Sequence, residues 1–101
     1  MPAVARGNTV DEVLTNHDCT PDAFTQELSG NVFINGVGVH RQGDLNTPHG
    51  VNSPGCSLHQ TIIDVGSTTV FSNGKGVARV GDFYDGGEEV STGSGNVFAG
   101  G

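Results

Sequence analysis

Apolar residues in this chain come in runs of two or three, separated by glycine and small polar residues, and no window keeps a helical period for three turns. The clearest run, Val32-Phe33-Ile34, leads into Asn35-Gly36 and then into Val37-Gly38-Val39, where apolar and small residues alternate. A short β-prone run, Asn-Gly and a second short run make the pattern of a hairpin, because both central residues of a type I′ turn need positive φ. Val10 to Leu14 has room for one helical turn after a Thr or Asp cap. The expected architecture is all-β, small, with long loops.

The pattern repeats. NVFINGVGVHRQGD (31–44) aligns without a gap on TVFSNGKGVARVGD (69–82), so that Phe33, Asn35-Gly36, Arg41 and Gly43-Asp44 recur 38 residues later as Phe71, Asn73-Gly74, Arg79 and Gly81-Asp82. A fixed offset over so many identities is an internal repeat. Gly95-Asn96-Val97-Phe98 opens a third, partial copy, and Val4-Ala5-Arg6-Gly7-Asn8 echoes the closing half, Val77 to Asp82, with one residue missing. The chain is thus about three passes of one unit. Gly43-Asp44 and Gly81-Asp82 mark where strands give way to loops.

The 101 residues suffice for one domain, 1–101, and the 17 glycines, absent Trp and 34% hydrophobic content argue against a large aliphatic core. Some other staple is expected to hold it together. Four basic against eleven acidic residues give a net charge of −7, which disfavours nucleic acid as a partner. No apolar run approaches the roughly 20 residues of a membrane-spanning helix. Residues 1–8 lack the apolar block of a secretory signal, so synthesis in the cytoplasm is expected, with Cys19 and Cys56 as a metal ligand or free thiol rather than a disulfide.

His40, His49, Cys56 and His59 fall within twenty residues of one another, the last three in the Pro-, Gly- and Ser-rich stretch 44–61. A loop that long in so small a chain needs an ordering agent. Imidazole and thiolate are ligands zinc favours, and four of them close a tetrahedral structural site, so one zinc per chain is expected on these residues. Cys56-x-x-His59 has a spacing that lets both side chains reach one ion, and Pro54-Gly55 supplies a tight turn before it. His17 and Cys19, a His-x-Cys pair on the first loop, stand as substitutes for one of these ligands. Catalysis is disfavoured: four ligands leave no open position for water, and Asp44 and Asp64 sit where turn residues belong. A zinc-dependent hydrolase acting on cell wall is the enzymatic alternative, and a free-standing metal- or carbohydrate-binding module is another.

The Val-Ala-Arg-Val-Gly-Asp phrase, with its opening variant Pro2-Ala3-Val4-Ala5-Arg6, the Val-Phe-x-Asn-Gly strands and the His-rich second loop resemble the PAAR-repeat family over nearly the whole chain. The resemblance implies a conical, pseudo-threefold domain whose base caps a trimeric β-helical spike, one cone per trimer, monomeric on its own. Zinc is held near the vertex by three histidines and a cysteine, matching His40, His49, His59 and Cys56 in kind and number. Such proteins tip the spike of contractile phage tails and of type VI secretion and make transient contact with the target membrane. They are assembled into a virion baseplate or a secretion spike. The chain leaves no room after Gly101 for a fused toxin domain, which fits a plain tip and the phage tail. Two features depart from the family: Arg-x-Gly-Asp is shortened to Arg6-Gly7-Asn8, and the first loop is long and acidic.

Overall fold

The two Asn-Gly pairs do make type I′ turns. In the computed structural model, which describes residues 1–51 and 54–101, Asn35 and Gly36 have φ of 52° and 77°, and Asn73 and Gly74 have 55° and 75°. The strands among the described residues are β1 (Glu12–Leu14), β2 (Asp22–Phe24), β3 (Phe33–Ile34), β4 (Val37–Gly38), β5 (His49–Val51), β6 (Ser57–His59), β7 (Phe71–Ser72), β8 (Lys75–Gly76) and β9 (Glu89–Val90). Among these residues no helix accompanies them, and none is present that could cross a membrane. β3–β4 and β7–β8 are the two repeat hairpins, in the same register: Phe33 opposite Gly38, Phe71 opposite Gly76.

The stretches expected as loops are themselves paired. β5 and β6 form a hairpin inside 44–61, with His49 opposite His59; Asn52 and Ser53 of that stretch lie outside the described residues. The first loop contains β1 and β2, which join β9 in a three-stranded antiparallel sheet of order β2-β1-β9. Where one helical turn was expected, Glu12–Leu14 is extended. Only Val13 of this strand is buried, against Ala23 and Val90, and an alternating pattern of exposed and buried residues suits a strand better than a helical stripe.

Two rings of backbone pairing organise the molecule. In the first, Ala5 N–H donates to Ala78 O (2.8 Å), Ala78 N–H to His40 O (2.8 Å) and His40 N–H to Ala5 O (3.0 Å), a closed cycle through residues that hold the same place in the three units. Val4, Val39 and Val77, one position earlier in each unit, pack together with Ala99 beside them. Side chains continue the cycle. Ser29 Oγ donates to Asn73 Oδ1, Ser67 Oγ to Gly100 O and Ser94 Oγ to Asn35 Oδ1, all at 2.6 Å, so each unit holds the next. The third unit is completed by both chain ends, with Ala3 bridged to Phe98 and Ala99 N–H donating to Pro2 O.

Each unit also carries an Arg–Asp pair of the same design. The backbone N–H and Nε of Arg41 donate to Asp44 Oδ2 and its Nη2 to Oδ1, at 2.8 to 3.0 Å. Arg79 treats Asp82 likewise. In the first unit the partner of Arg6 is Asp11, in the same three contacts at 2.7 to 3.0 Å. The shortened Arg6-Gly7-Asn8 therefore keeps the pair, with the aspartate moved further along the chain.

The second ring runs from β2 through Thr25–Asn46, Leu45–Ile62, Ile63–Tyr84 and Phe83–Glu89 bridges to β9 and back through β1. It encloses Val13, Ala23, Ile63, Tyr84 and Val90, with Val80 packed alongside. The molecule measures 40 × 23 × 23 Å along its principal axes.

Candidate metal centre

β5, β6, the turn before β9 and the segment after β1 each bring one side chain to a common point. His49 opens β5, and His59 faces it from the end of β6, an antiparallel register that sets the rings 4.4 Å apart edge to face. Gly86-Gly87 delivers Glu88, and the chain leaving β1 delivers His17, stacked on His49 at 5.6 Å. Glu88 Oε2 lies 2.6 Å from His49 Nε2, 2.8 Å from His59 Nε2 and 3.1 Å from His17 Nε2, and the two nitrogens of His49 and His59 are 2.8 Å apart. All four donor atoms lie within 4.8 Å of one another. His49 and Glu88 are fully buried, and His17 and His59 are partly open to solvent.

The contacts are not those of ordinary hydrogen bonds. His49 Nδ1 lies 2.8 Å from Thr47 O and, as the donor there, leaves Nε2 of the neutral ring with a lone pair. That lone pair faces a carboxylate oxygen and a second imidazole nitrogen, and a single Oε2 receives three nitrogens. Repulsion of this kind is relieved by a shared cation. Burial works against the ionised form of Glu88, yet contact with its own backbone N–H and with the side chains of His49, His17 and Thr61 outweighs it and holds the carboxyl at about 2. Glu88 Oε1 is the buried side-chain polar atom left without a partner among the described residues. Ionised carboxylate, converging nitrogens and an orphaned oxygen fit a metal ion. The Nδ1 contact of His49 to Thr47 is the outer-shell bond that orients a metal-bound imidazole.

Of the residues expected to hold a metal, the structure brings His49 and His59 to this point and places His40 and Cys56 elsewhere. His40 is buried in the first ring, at the place taken by Ala5 and Ala78 in the other units. Its Nδ1 is 2.7 Å from Glu27 O and its Nε2 is 2.8 Å from Tyr84 OH, so both nitrogens are engaged. Desolvation lowers its pKa and keeps it neutral, and burial likewise raises that of Tyr84. Tyr84 O–H therefore donates to Nε2, and Nδ1–H donates to Glu27. Cys56 is joined to Cys19 in a disulfide, with Cα atoms 5.7 Å apart, rather than standing as a ligand or free thiol.

His17, the reserve on the first loop, joins the group, and Glu88 was not foreseen. Nothing local distinguishes it among eleven acidic residues. The one usable signal is its neighbourhood, a Gly-Gly pair before it, which marks a turn but not a ligand.

Fold and site define a small β-built module of repeated hairpins with a His/Glu group able to bind a metal ion. The PAAR motif matches residues 12–90, and the chain belongs to that family. No curated protein matches the chain. The family is a structural one, and membership is consistent with a spike-tip protein of a contractile injection system.

Proposed function

We propose that the protein caps a trimeric β-helical spike of a contractile injection machine, one copy per three spike chains, and carries one zinc at the end that meets the target membrane. The observation that carries this reading is the closed hydrogen-bond cycle among three equivalent segments, Ala5, His40 and Ala78. Around it Phe33, Phe71 and Phe98, at matching places in the three units, are 58%, 58% and 50% exposed. Large apolar side chains left exposed at equivalent places of a repeat offer an interaction surface. Three alike suit a partner of three chains. On this reading the domain is a pseudo-threefold cone, with the phenylalanines at its base and the histidine group toward its vertex.

Three imidazoles and one carboxylate suit zinc among the divalent metals and fill its tetrahedron. Bound there, the ion would supply a cross-link on the order of 10 kcal/mol among β5–β6, the segment after β1 and the turn before β9. The chain's own residues do the rest: β5–β6 positions two imidazoles, His17 closes from the side, and buried Glu88 neutralises charge. A filled shell favours a structural role over a hydrolytic one, which needs an open position for water.

The test is the mass of complexes in native solution with spike trimers of phage-tail and type VI type. One cap per trimer supports the reading, and the trimer retained identifies the machine. Three caps per trimer, or none with either type, overturns it.

A further inference from the structure

We infer that Cys19 and Cys56 form a redox-operated clamp that holds the His17 donor against the other three. The stretch 15–21 enters from β1 and returns into β2 without forming a strand of its own. Within itself it is closed by Thr15 N–H to Pro21 O (2.9 Å) and Thr15 Oγ1 to Thr20 O. Toward the hairpin that carries His49 and His59, the described residues give it one hydrogen bond, Gly50 N–H to Thr20 Oγ1 (3.1 Å), and the disulfide. The bridge joins positions 37 residues apart. It is the covalent link between the segment bearing His17 and the hairpin bearing two further donors.

Two other features show that this bridge is built into the hairpin. Cys56 has φ of 47°, a left-handed conformation that few residues other than glycine adopt. A conformation of that kind persists where surroundings enforce it, and here it accompanies the bond to Cys19. At Gly50 a Cβ atom would lie 3.2 Å from Cys56 Cβ, 3.3 Å from Cys19 Cβ and 3.1 Å from Thr20 Oγ1, so the bridge packs closely on β5 and a side chain there would push it away by a few tenths of an ångström.

Cys56 is exposed and Cys19 half-buried, so small thiols and disulfides reach the pair. Oxidation forms the S–S bond from two thiols and passes two electrons and two protons to a low-molecular-weight disulfide, which leaves as two thiols. In reducing solution the pair is a dithiol and the segment bearing His17 has no covalent link to the hairpin, only its hydrogen bonds and ring contacts. Oxidation removes that freedom from the open state, as closing a chain loop does, and fixes the fourth donor.

The proposal rests on the metal reading above for only one of its two readouts. The first is amide hydrogen exchange of the full chain after a low-molecular-weight disulfide and after a phosphine reductant. Exchange across residues 15–21 rises at least about tenfold on reduction, while the Ala5, His40 and Ala78 amides are unchanged. Cys19→Ser/Cys56→Ser behaves as reduced in both solutions. The second is zinc loss to a chelator, faster by a similar factor from the reduced protein. Unchanged exchange, or two titratable thiols remaining after oxidation, overturns the clamp. Protein that takes up no zinc in either state overturns the metal reading, and the exchange result still decides the clamp.

Discussion

Glu88 Oε2 lies 2.6 Å from Nε2 of His49, a residue 39 positions earlier in the chain, and neither side chain is exposed. A buried carboxylate that faces three imidazole nitrogens is stable only with positive charge among them. Glu88→Gln should therefore lose metal affinity by more than the about 10–100-fold that follows loss of an outer-shell partner. Measured in chelator, where there is no ion to lose, the same substitution should cost little. Calorimetric titration with zinc and thermal melts with and without chelator check both outcomes.

His40 stands apart from the histidine group at Glu88. His40→Ala should keep one zinc per chain by elemental analysis. It should lower unfolding free energy in denaturant by about 2–4 kcal/mol, because the Glu27 carbonyl and Tyr84 hydroxyl lose their partner and a cavity replaces the ring. A zinc content near zero in folded His40→Ala protein would return His40 to the ligand set.

The same residue sets a pH dependence. Burial lowers the pKa of His40, so the unfolded chain binds a proton where the folded chain does not. Stability is therefore retained above the ordinary histidine value of about 6.5 and falls as pH drops through it. Replacement by Gln should leave a shallower fall. The difference between wild type and His40→Gln, followed by denaturant melts from neutral to mildly acidic pH, should shrink with acidification.

Asp11 tests the displaced ion pair. It is 1% exposed and binds Arg6 as Asp44 binds Arg41. Asp11→Asn and Asp44→Asn should destabilise to a similar degree, about 1–3 kcal/mol each for a charged hydrogen-bond partner. Asn8→Asp, which puts an aspartate where the repeat would have it and keeps a residue type that tolerates the φ of 53° there, should change stability by less than about 0.5 kcal/mol. Chemical denaturation of the three variants decides it.

Docking has its own signature. Phe33→Asp, Phe71→Asp and Phe98→Asp each place a charge on an already exposed site, so melting temperatures should hold while affinity for a spike trimer falls by about tenfold or more per site. Glu88→Gln should leave that affinity intact. Equal binding by all variants would move the docking face elsewhere.

Hairpins, turns and repeat were legible because they depend on neighbours in sequence. Asn35-Gly36 and Asn73-Gly74 have the φ values their residue types favour, and a 38-residue offset is visible without any fold. The same local logic singled out His49 and His59, which the structure places opposite each other across one hairpin. It erred on Cys56, whose partner Cys19 is 37 residues away. It erred also on the helical turn expected from Val10 to Leu14, because Glu12–Leu14 pairs with β2 on one side and β9 on the other, and both partners are distant in sequence or unmarked by it.

Tertiary structure decided the rest. His40 is near His49 in sequence, but its unit turns it into the first ring, where Glu27 and Tyr84 occupy both nitrogens. Glu88 and His17, 71 residues apart, come onto one point because β1 pairs with β9 and carries their flanking segments together. Sequence alone determines which turns and strands the backbone prefers, since those energies are local. Which side chains share a buried site depends on the closure of the second ring, a long-range pairing that no spacing along the chain encodes.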